Sequence, residues 1–248
     1  MERVYLDHAA TTPVDPEVAE AMAGVLRDVH GNPSSIYADG RAARALVDRA
    51  RDEVAAAIGA DPAEIVFTGG GTEADNLALR GVLKARLPER DGLVTTAVEH
   101  HAVLDTARDL ERHERVRLTV VGTDRQGRVD PAPVAAAIDD RTALVSVMHG
   151  NNEIGTLQPI AEIGAVCRAR GVTFHTDAVQ TVGALPFDTR ALPVDLVSVN
   201  AHKFYGPKGV GALFVRRGTA IATVQTGGGQ ERGRRTGTEN VAGIVGLG

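Results

Sequence analysis

The sequence predicts an α/β fold in three layers, a mainly parallel sheet with helices on both faces. Three observations carry this expectation. Short apolar runs of strand length recur along the chain, helix-length stretches separate them, and glycine and proline punctuate the joins. The 28 glycines cluster at the expected strand-to-helix turns and form no low-complexity linker. Strands alternating with helices imply parallel pairing, because parallel neighbours need long crossover connections that cover both faces of the sheet. No internal repeat is visible. With 248 residues and 43% hydrophobic content, the chain can bury a sizeable core. We expect an N-terminal segment over residues 1–14 and a large domain over 15–248.

The elements follow in order. Asp15-Pro16 pairs an N-cap with a proline at the first helical position, opening a helix that fades near His30. A long Ala/Arg-rich helix is expected over 36–58, where Ala42, Leu46, Ala50, Val54 and Ile58 recur at four-residue steps. A strand over 64–68, a glycine turn and a helix over 72–86 come next. Strands over 93–96, 116–121 and 143–148 follow, separated by helical stretches. A helix over 159–170 precedes a strand ending at Asp177. A buried strand over 195–199 and a further strand over 209–215 complete the set.

Composition excludes several classes. The formal net charge is −5, and Arg232, Arg234 and Arg235 form too short and too glycine-interrupted a cluster to argue for nucleic acid. No apolar run reaches membrane-spanning length, and the first residues lead straight into a polar turn without a signal-peptide pattern. A single cysteine rules out an internal disulfide framework and fits a reducing cytoplasm.

The chemistry concentrates at strand ends. The run Asp195-Leu196-Val197-Ser198-Val199 closes on Asn200-Ala201-His202-Lys203-Phe204-Tyr205-Gly206-Pro207, so Lys203 sits at the carboxyl end of a sheet, where open α/β sheets bind ligands. The preceding strand ends Phe174-His175-Thr176-Asp177-Ala178-Val179-Gln180. A strand-end lysine beside a strand-end carboxylate is what pyridoxal phosphate (PLP) requires. The amine forms a Schiff base, and the carboxylate keeps the pyridine nitrogen protonated. Lys208, beyond the Gly206-Pro207 turn, is the competing lysine.

Three further turns add to this edge. In Thr68-Gly69-Gly70-Gly71-Thr72-Glu73, amides freed at a helix start make a phosphate cradle, and the Thr72 hydroxyl can cap the helix or bond a phosphate oxygen. The turn matches neither Rossmann nor P-loop spacing and on its own is equally a tight connection. In Val98-Glu99-His100-His101-Ala102, a histidine could lie over a cofactor ring and shuttle protons. Adjacent residues do not face one way and no metal-ligand spacing completes a zinc set, so a helix-entry histidine is the plainer alternative. Met148-His149-Gly150-Asn151-Asn152-Glu153 offers an amide to a ligand hydroxyl or carboxylate, or is turn chemistry. Thr72, His101, Asn152, Asp177 with Gln180, and Lys203 thus sit at five strand ends, and a parallel sheet brings them to one edge.

Collinear motifs then suggest a family. Leu6-Asp7-His8-Ala9-Ala10-Thr11-Thr12-Pro13, Gly31-Asn32-Pro33-Ser34-Ser35, Gly71-Thr72-Glu73-Ala74-Asp75-Asn76, Glu99-His100-His101-Ala102-Val103, Asn151-Asn152-Glu153-Ile154-Gly155 and Ala201-His202-Lys203 resemble the cysteine desulfurases. These are class V aminotransferase relatives of PLP fold type I. The resemblance implies that Lys203 carries PLP, Asp177 faces the pyridine nitrogen and Gln180 bonds the phenolic oxygen. It implies that His101 stacks on the ring and moves protons, that Thr72 and His202 hold the phosphate, and that Asn152 lies near cofactor and substrate carboxylate. Thr238 would reach the phosphate across a homodimer interface. Asn200 stands where the family commonly has a phosphate-binding serine, so altered geometry with retained binding is expected.

The implied reaction turns L-cysteine into L-alanine and passes sulfur, through an enzyme persulfide, to an acceptor protein for iron–sulfur clusters or thio-cofactors. Selenocysteine lyase, another amino-acid lyase, or a catalytically incomplete PLP-binding subunit are the alternatives. The family continues into a smaller carboxyl-terminal domain with a nucleophilic cysteine, and this sequence ends within an apolar helical pattern, so the expectation is a large domain incomplete at that end. Cys167 does not supply the nucleophile, since it shares a helical face with Ile160 and Ile163. Nucleic-acid, membrane and metal partners are not expected.

Overall fold

The computed structural model describes residues 4–248. Its centre is a seven-stranded sheet in the order β1-β7-β6-β5-β4-β2-β3. The strands are β1 (Ile65–Thr68), β2 (Gly92–Thr96), β3 (Arg117–Val121), β4 (Thr142–Ser146), β5 (Thr173–Asp177), β6 (Leu196–Asn200) and β7 (Gly211–Val215). Six strands point one way. Only β7 runs antiparallel, against both β1 and β6, because the short turn after Lys203 sends the chain straight back instead of through a crossover helix.

Helices cover both faces, as expected. They are α1 (Pro16–Asp28), α2 (Ala38–Ala57), α3 (Gly71–Arg86), α4 (His101–His113), α5 (Pro131–Ala137), α6 (Ile160–Ala169) and α7 (Val241–Leu247). Asp15 caps α1 by accepting from the Glu17 amide at 2.8 Å, with Pro16 at the first position. The expected elements appear with ends displaced by a residue or two. The sequence reading did not foresee the small hairpin of β8 (Gly229–Gln230) and β9 (Arg235–Thr236), whose two-residue strands are too short to show a period.

Strand alternation divides the core into two layers. One face gathers Ile65, Phe67, Val94, Val145, Phe174, Val197, Val199 and Phe214 against α2, α6 and α7. The other gathers Val66, Leu93, Leu144, Leu196 and Leu213 against Leu77, Leu79 and Leu83 of α3 and Val103 and Leu110 of α4. Towards the carboxyl edge, this second face changes character. Ser146, His175, Asp177 and Ser198 continue the same alternation but are polar and buried. That change positions the site.

A buried ion pair ties the segment after β7 to the core. Arg51 of α2 makes a bidentate contact with Glu231, donating to its two carboxylate oxygens at 2.7 and 2.9 Å. Arg51 also donates to the Ile65 carbonyl and lies 4.6 Å above the Phe67 ring centroid. The Phe67 amide donates to Glu231. The charge-assisted fork thus holds Glu231 and Arg232, both at positive φ, against β1.

Candidate active site

Lys203 ends a 3₁₀ turn, Ala201–Lys203, directly after β6. Asp177 is the last residue of β5 and is 6% exposed. Because β5 and β6 are parallel with Asp177 opposite Ser198, both strands deliver their following residues to the same edge. A cleft of about 470 Å³ opens there. It brings together Thr72, Asn152, Asp177, Gln180, Asn200, His202 and Lys203 from the residues expected of the site.

The glycine turn prepares one wall. Gly70 has φ 144°, open to glycine and strained for other residues, and it precedes α3, whose start has no side-chain cap. A Cβ on Gly71 would lie 2.8 Å from Val179 Cγ2 and 3.2 Å from Asn200 Nδ2. The absent side chain therefore leaves the first amides of α3 facing Asn200 and His202 in a smaller adjoining cavity, which Lys208 also lines. Free amides and a helix dipole at that point suit an anion.

The N-terminal segment crosses the opposite wall. Lys203 Nζ donates to the carbonyls of Ala9 and Ala10, and Gln180 Nε2 donates to Ala9 O at 2.9 Å. Thr12 donates its amide to His202 O at 2.8 Å, and its hydroxyl accepts from the Tyr205 amide at 2.7 Å. Thr11 Oγ1 lies 3.0 Å from His202 Nδ1. Residues 9–12 thus brace the lysine turn, a role the sequence reading did not assign them.

Burial pushes the Lys203 pKa below that of an ordinary lysine, against the opposing pull of Asp177 and Asp7. A larger fraction of neutral amine follows, the form that attacks a carbonyl. Burial likewise raises Asp177, while the Val179 amide, His100 and Lys203 favour its charged form. His202 is pushed down by burial and by Lys203 and Lys208.

One expected residue lies elsewhere. His101 points to solvent, its side chain 85% exposed, with Nδ1 3.0 Å from Asp105 one helical turn on. The cleft histidine is His100. The reason is helix geometry: His100 is the N-cap of α4, accepting the Ala102 amide on Nδ1 at 3.0 Å, so it sits at the helix mouth while His101 starts the outer face. That accepting contact leaves Nε2 as the proton-bearing nitrogen of the neutral ring. Thr238, expected to serve a facing copy, is exposed and outside this chain's own cleft. Asn152 lines it but has its amide turned to Glu153 Oε1 at 2.8 Å.

Sequence reasoning also missed Asp75 and Glu99. Asp75, in the second turn of α3, lines the cleft and is 1% exposed. Glu99 is buried, accepting from Thr96 Oγ1 at 2.7 Å and from the Met148 amide at 2.9 Å, and burial raises its pKa to about 8. A carboxylate within an otherwise apolar helical stripe was the available signal for Asp75. Nothing local marked Glu99, because its burial depends on the β4 end arriving from 49 residues away.

The aminotransferase class-V family matches residues 4–248. The chain belongs to that family. The cysteine desulfurase IscS of Dictyoglomus turgidum is 51% identical over 245 residues, covering 99% of this chain and 62% of that protein. A solved NifS-like protein superposes with a TM-score of 0.96 at 41% identity, covering 99% of this chain and 68% of its own. The structure of SspA in complex with cysteine gives 0.95 at 40%, with coverage of 99% and 71%. This class-V chain therefore spans a little under two thirds of the curated relative it matches.

PLP is the cofactor of such proteins, and the cleft fits it. The Asn200 Oδ1 and Asp75 Oδ1 atoms are buried without hydrogen-bond partners, and the space a Gly71 Cβ would fill lies beside Asn200. An amine, a buried carboxylate and an uncapped helix start form the donor set for an aldehyde, a ring nitrogen and a phosphate. Among the described residues, no cluster of His, Cys, Asp and Glu could hold a metal ion. No helix among them is long and apolar enough to cross a membrane.

Proposed function

We propose that this chain is the PLP-binding part of an enzyme that removes sulfur from L-cysteine and leaves L-alanine. The observation that carries the reading is the pairing of Lys203 with Asp177 in one cleft. PLP bound there supplies an electron sink for the substrate's α-carbon. The chain's own residues do the rest. Lys203 would anchor the cofactor, and as a free amine it could move a proton. Asp177 offers a negative charge to the ring nitrogen, and Gln180 an amide to the phenolic oxygen. Thr72, His202, Asn200 and the first amides of α3 hold the phosphate. Asn152 attends the substrate carboxylate. His100, carrying its proton on Nε2, takes over the stacking and proton-moving role expected of His101.

The sulfur acceptor comes from outside these 248 residues. Cys167, the sole cysteine, is 0% exposed on the core face of α6, and burial pushes its thiol up to about 12. A thiol held protonated in apolar packing is neither nucleophilic nor within reach of the cleft. We place the reaction in the cytoplasm, in a homodimer whose Thr238 serves the facing copy, with sulfur passed to an acceptor protein of iron–sulfur or thio-cofactor synthesis. The names of the relatives support the substrate. The single cysteine supports a reducing compartment, and the exposure of Thr238 leaves it free to meet a second copy.

The test begins with PLP loading of the full chain, borohydride reduction and mass mapping. Label at Lys203 is expected, and label at Lys208 or at no lysine overturns the reading. With L-cysteine, whose own thiol is a poor acceptor, alanine and sulfide are then expected to form much faster when an external dithiol is added, and equally in Cys167→Ser. Turnover without added thiol that vanishes in Cys167→Ser would show that Cys167 is the acceptor after all.

A further inference from the structure

Beneath the cleft lies a closed polar layer with more carboxyls than cations. Asp75 on α3 and Asp177 on β5 both line the cleft floor and both are nearly inaccessible. His175 sits two residues before Asp177 on the same strand face, fully buried. Its Nδ1 is 2.8 Å from Ser146 Oγ and its Nε2 is 3.0 Å from Ser198 Oγ. Asp75 Oδ1 stops 3.6 Å from His175 Nε2, beyond hydrogen-bond range, and has no partner. A carboxylate left this way, with only the Ser198 hydroxyl favouring its charge, would be a poorly compensated buried charge, which proteins avoid by protonation.

The surroundings separate the two carboxyls. Asp177 Oδ1 accepts from the Val179 amide at 2.9 Å, and His100 and Lys203 face it. The groups acting on Asp75 are Asp177 and the buried His175 from β5, Ser198 from β6, and Glu99 from the β2–α4 turn. His175 brings no charge, because burial lowers its pKa to about 3. Burial, then the charge of Asp177, hold the Asp75 carboxyl well above the usual carboxylate range. Two carboxyls in one dry site cannot both ionise cheaply, and the partners decide which one does.

We propose that Asp75 is a positioning residue that carries the proton of an Asp75–Asp177 pair, so that the single negative charge of the cleft floor stays on Asp177. The proposal rests on the PLP reading only for its purpose, which is to keep one undivided anion opposite a ring nitrogen. The pair itself exists without the cofactor. Asp75 acts through Asp177 and needs no contact with the ligand.

Infrared titration of the cofactor-free full chain tests it, using the carbonyl stretch that only protonated carboxyls show. The parent protein at neutral pH is expected to show the Asp75 band and that of Glu99, which Asp75→Asn and Glu99→Gln remove one at a time. In Asp177→Asn the Asp75 band should titrate lower by about one unit, because its neighbour's charge is gone. A merely structural Asp75 would not respond to Asp177→Asn. A midpoint that stays put in Asp177→Asn, or no band lost in Asp75→Asn, overturns the proposal. Asp75→Ser provides the same band assignment if the asparagine variant does not fold. PLP binding by absorbance is the second arm: Asp177→Asn should weaken it about tenfold, Asp75→Asn by less than threefold. If PLP binds no form while the bands behave as described, the functional reading fails and the carboxyl pair stands.

Discussion

The two faces of the central sheet are built from the same seven strands and do different things. The face against α2, α6 and α7 is apolar along most of its length, carrying Phe67, Val145, Phe174, Val197 and Phe214, with Thr96 and Thr176 as buried polar exceptions near the carboxyl edge. The face against α3 and α4 is apolar only at its amino side. From Leu144 to Ser146 and from Leu196 to Ser198 the strands turn polar as they near the carboxyl edge, and β5 is polar on this face throughout, at Thr173, His175 and Asp177. Helix α3 follows suit, with Leu79 and Leu83 over the apolar half and Asp75 and Thr72 over the polar half. The difference teaches where stability and function are stored. On one face the energy depends on volume, and on the other it depends on where protons sit.

The largest effect is expected on the apolar face. Phe174 is fully buried between sheet and α6, so Phe174→Ala should cost about 3–5 kcal/mol in chemical denaturation. The loss should be the same at pH 6 and pH 8, because no ionisable group is involved. A strongly pH-dependent loss would break the contrast between the faces.

The polar face should respond to pH instead. Glu99 has a folded pKa of about 8 against 4.5 when free. A raised carboxyl contributes stability that is fully present below pH 4.5 and is lost as pH climbs through 8. Glu99→Gln should therefore flatten the alkaline decline of stability, by on the order of 3 kcal/mol between pH 5 and pH 9. Melting curves at the two pH values check this, and an unchanged decline would place the titrating group elsewhere.

A smaller loss is expected from Ser198→Ala, which removes the hydroxyl 3.0 Å from His175 Nε2. One buried partner lost should cost about 1–3 kcal/mol, measured by denaturant midpoint, with little effect on the fold. The smallest effects sharpen the assignment at the cleft mouth. His101→Ala should change PLP binding by less than about twofold and stability by less than about 0.5 kcal/mol, as an exposed helix-surface pair is worth little. His100→Ala should weaken both through the lost cap, by about 1 kcal/mol in stability. Equal effects of the two alanines would erase the distinction between them.

Much of this was legible along the chain. Strand runs, glycine turns and the long α2 could be read because period and punctuation are local properties. Lys203, Asp177, Gln180 and Thr72 could be assigned to one edge because parallel strands separated by helices must all end on the same side. The order of β2 and β4 in the sheet, with β3 at the rim, and the reversal of β7 were not legible, since pairing partners are chosen by packing across long sequence separations.

The histidine pair shows the same limit at the scale of one residue. The sequence places two histidines at a helix entry and requires that they diverge, but which of them is the N-cap depends on where α4 starts, and His100 holds that position by accepting the Ala102 amide. Residue type and spacing by themselves determined an α/β layer fold with an amine and a carboxylate at its carboxyl edge. Only the tertiary structure decided which histidine faces them, and that Asp75 and Glu99 lie in the dry layer below. Burial belongs to the packed whole, and it is burial that moves a proton from solvent onto a carboxyl.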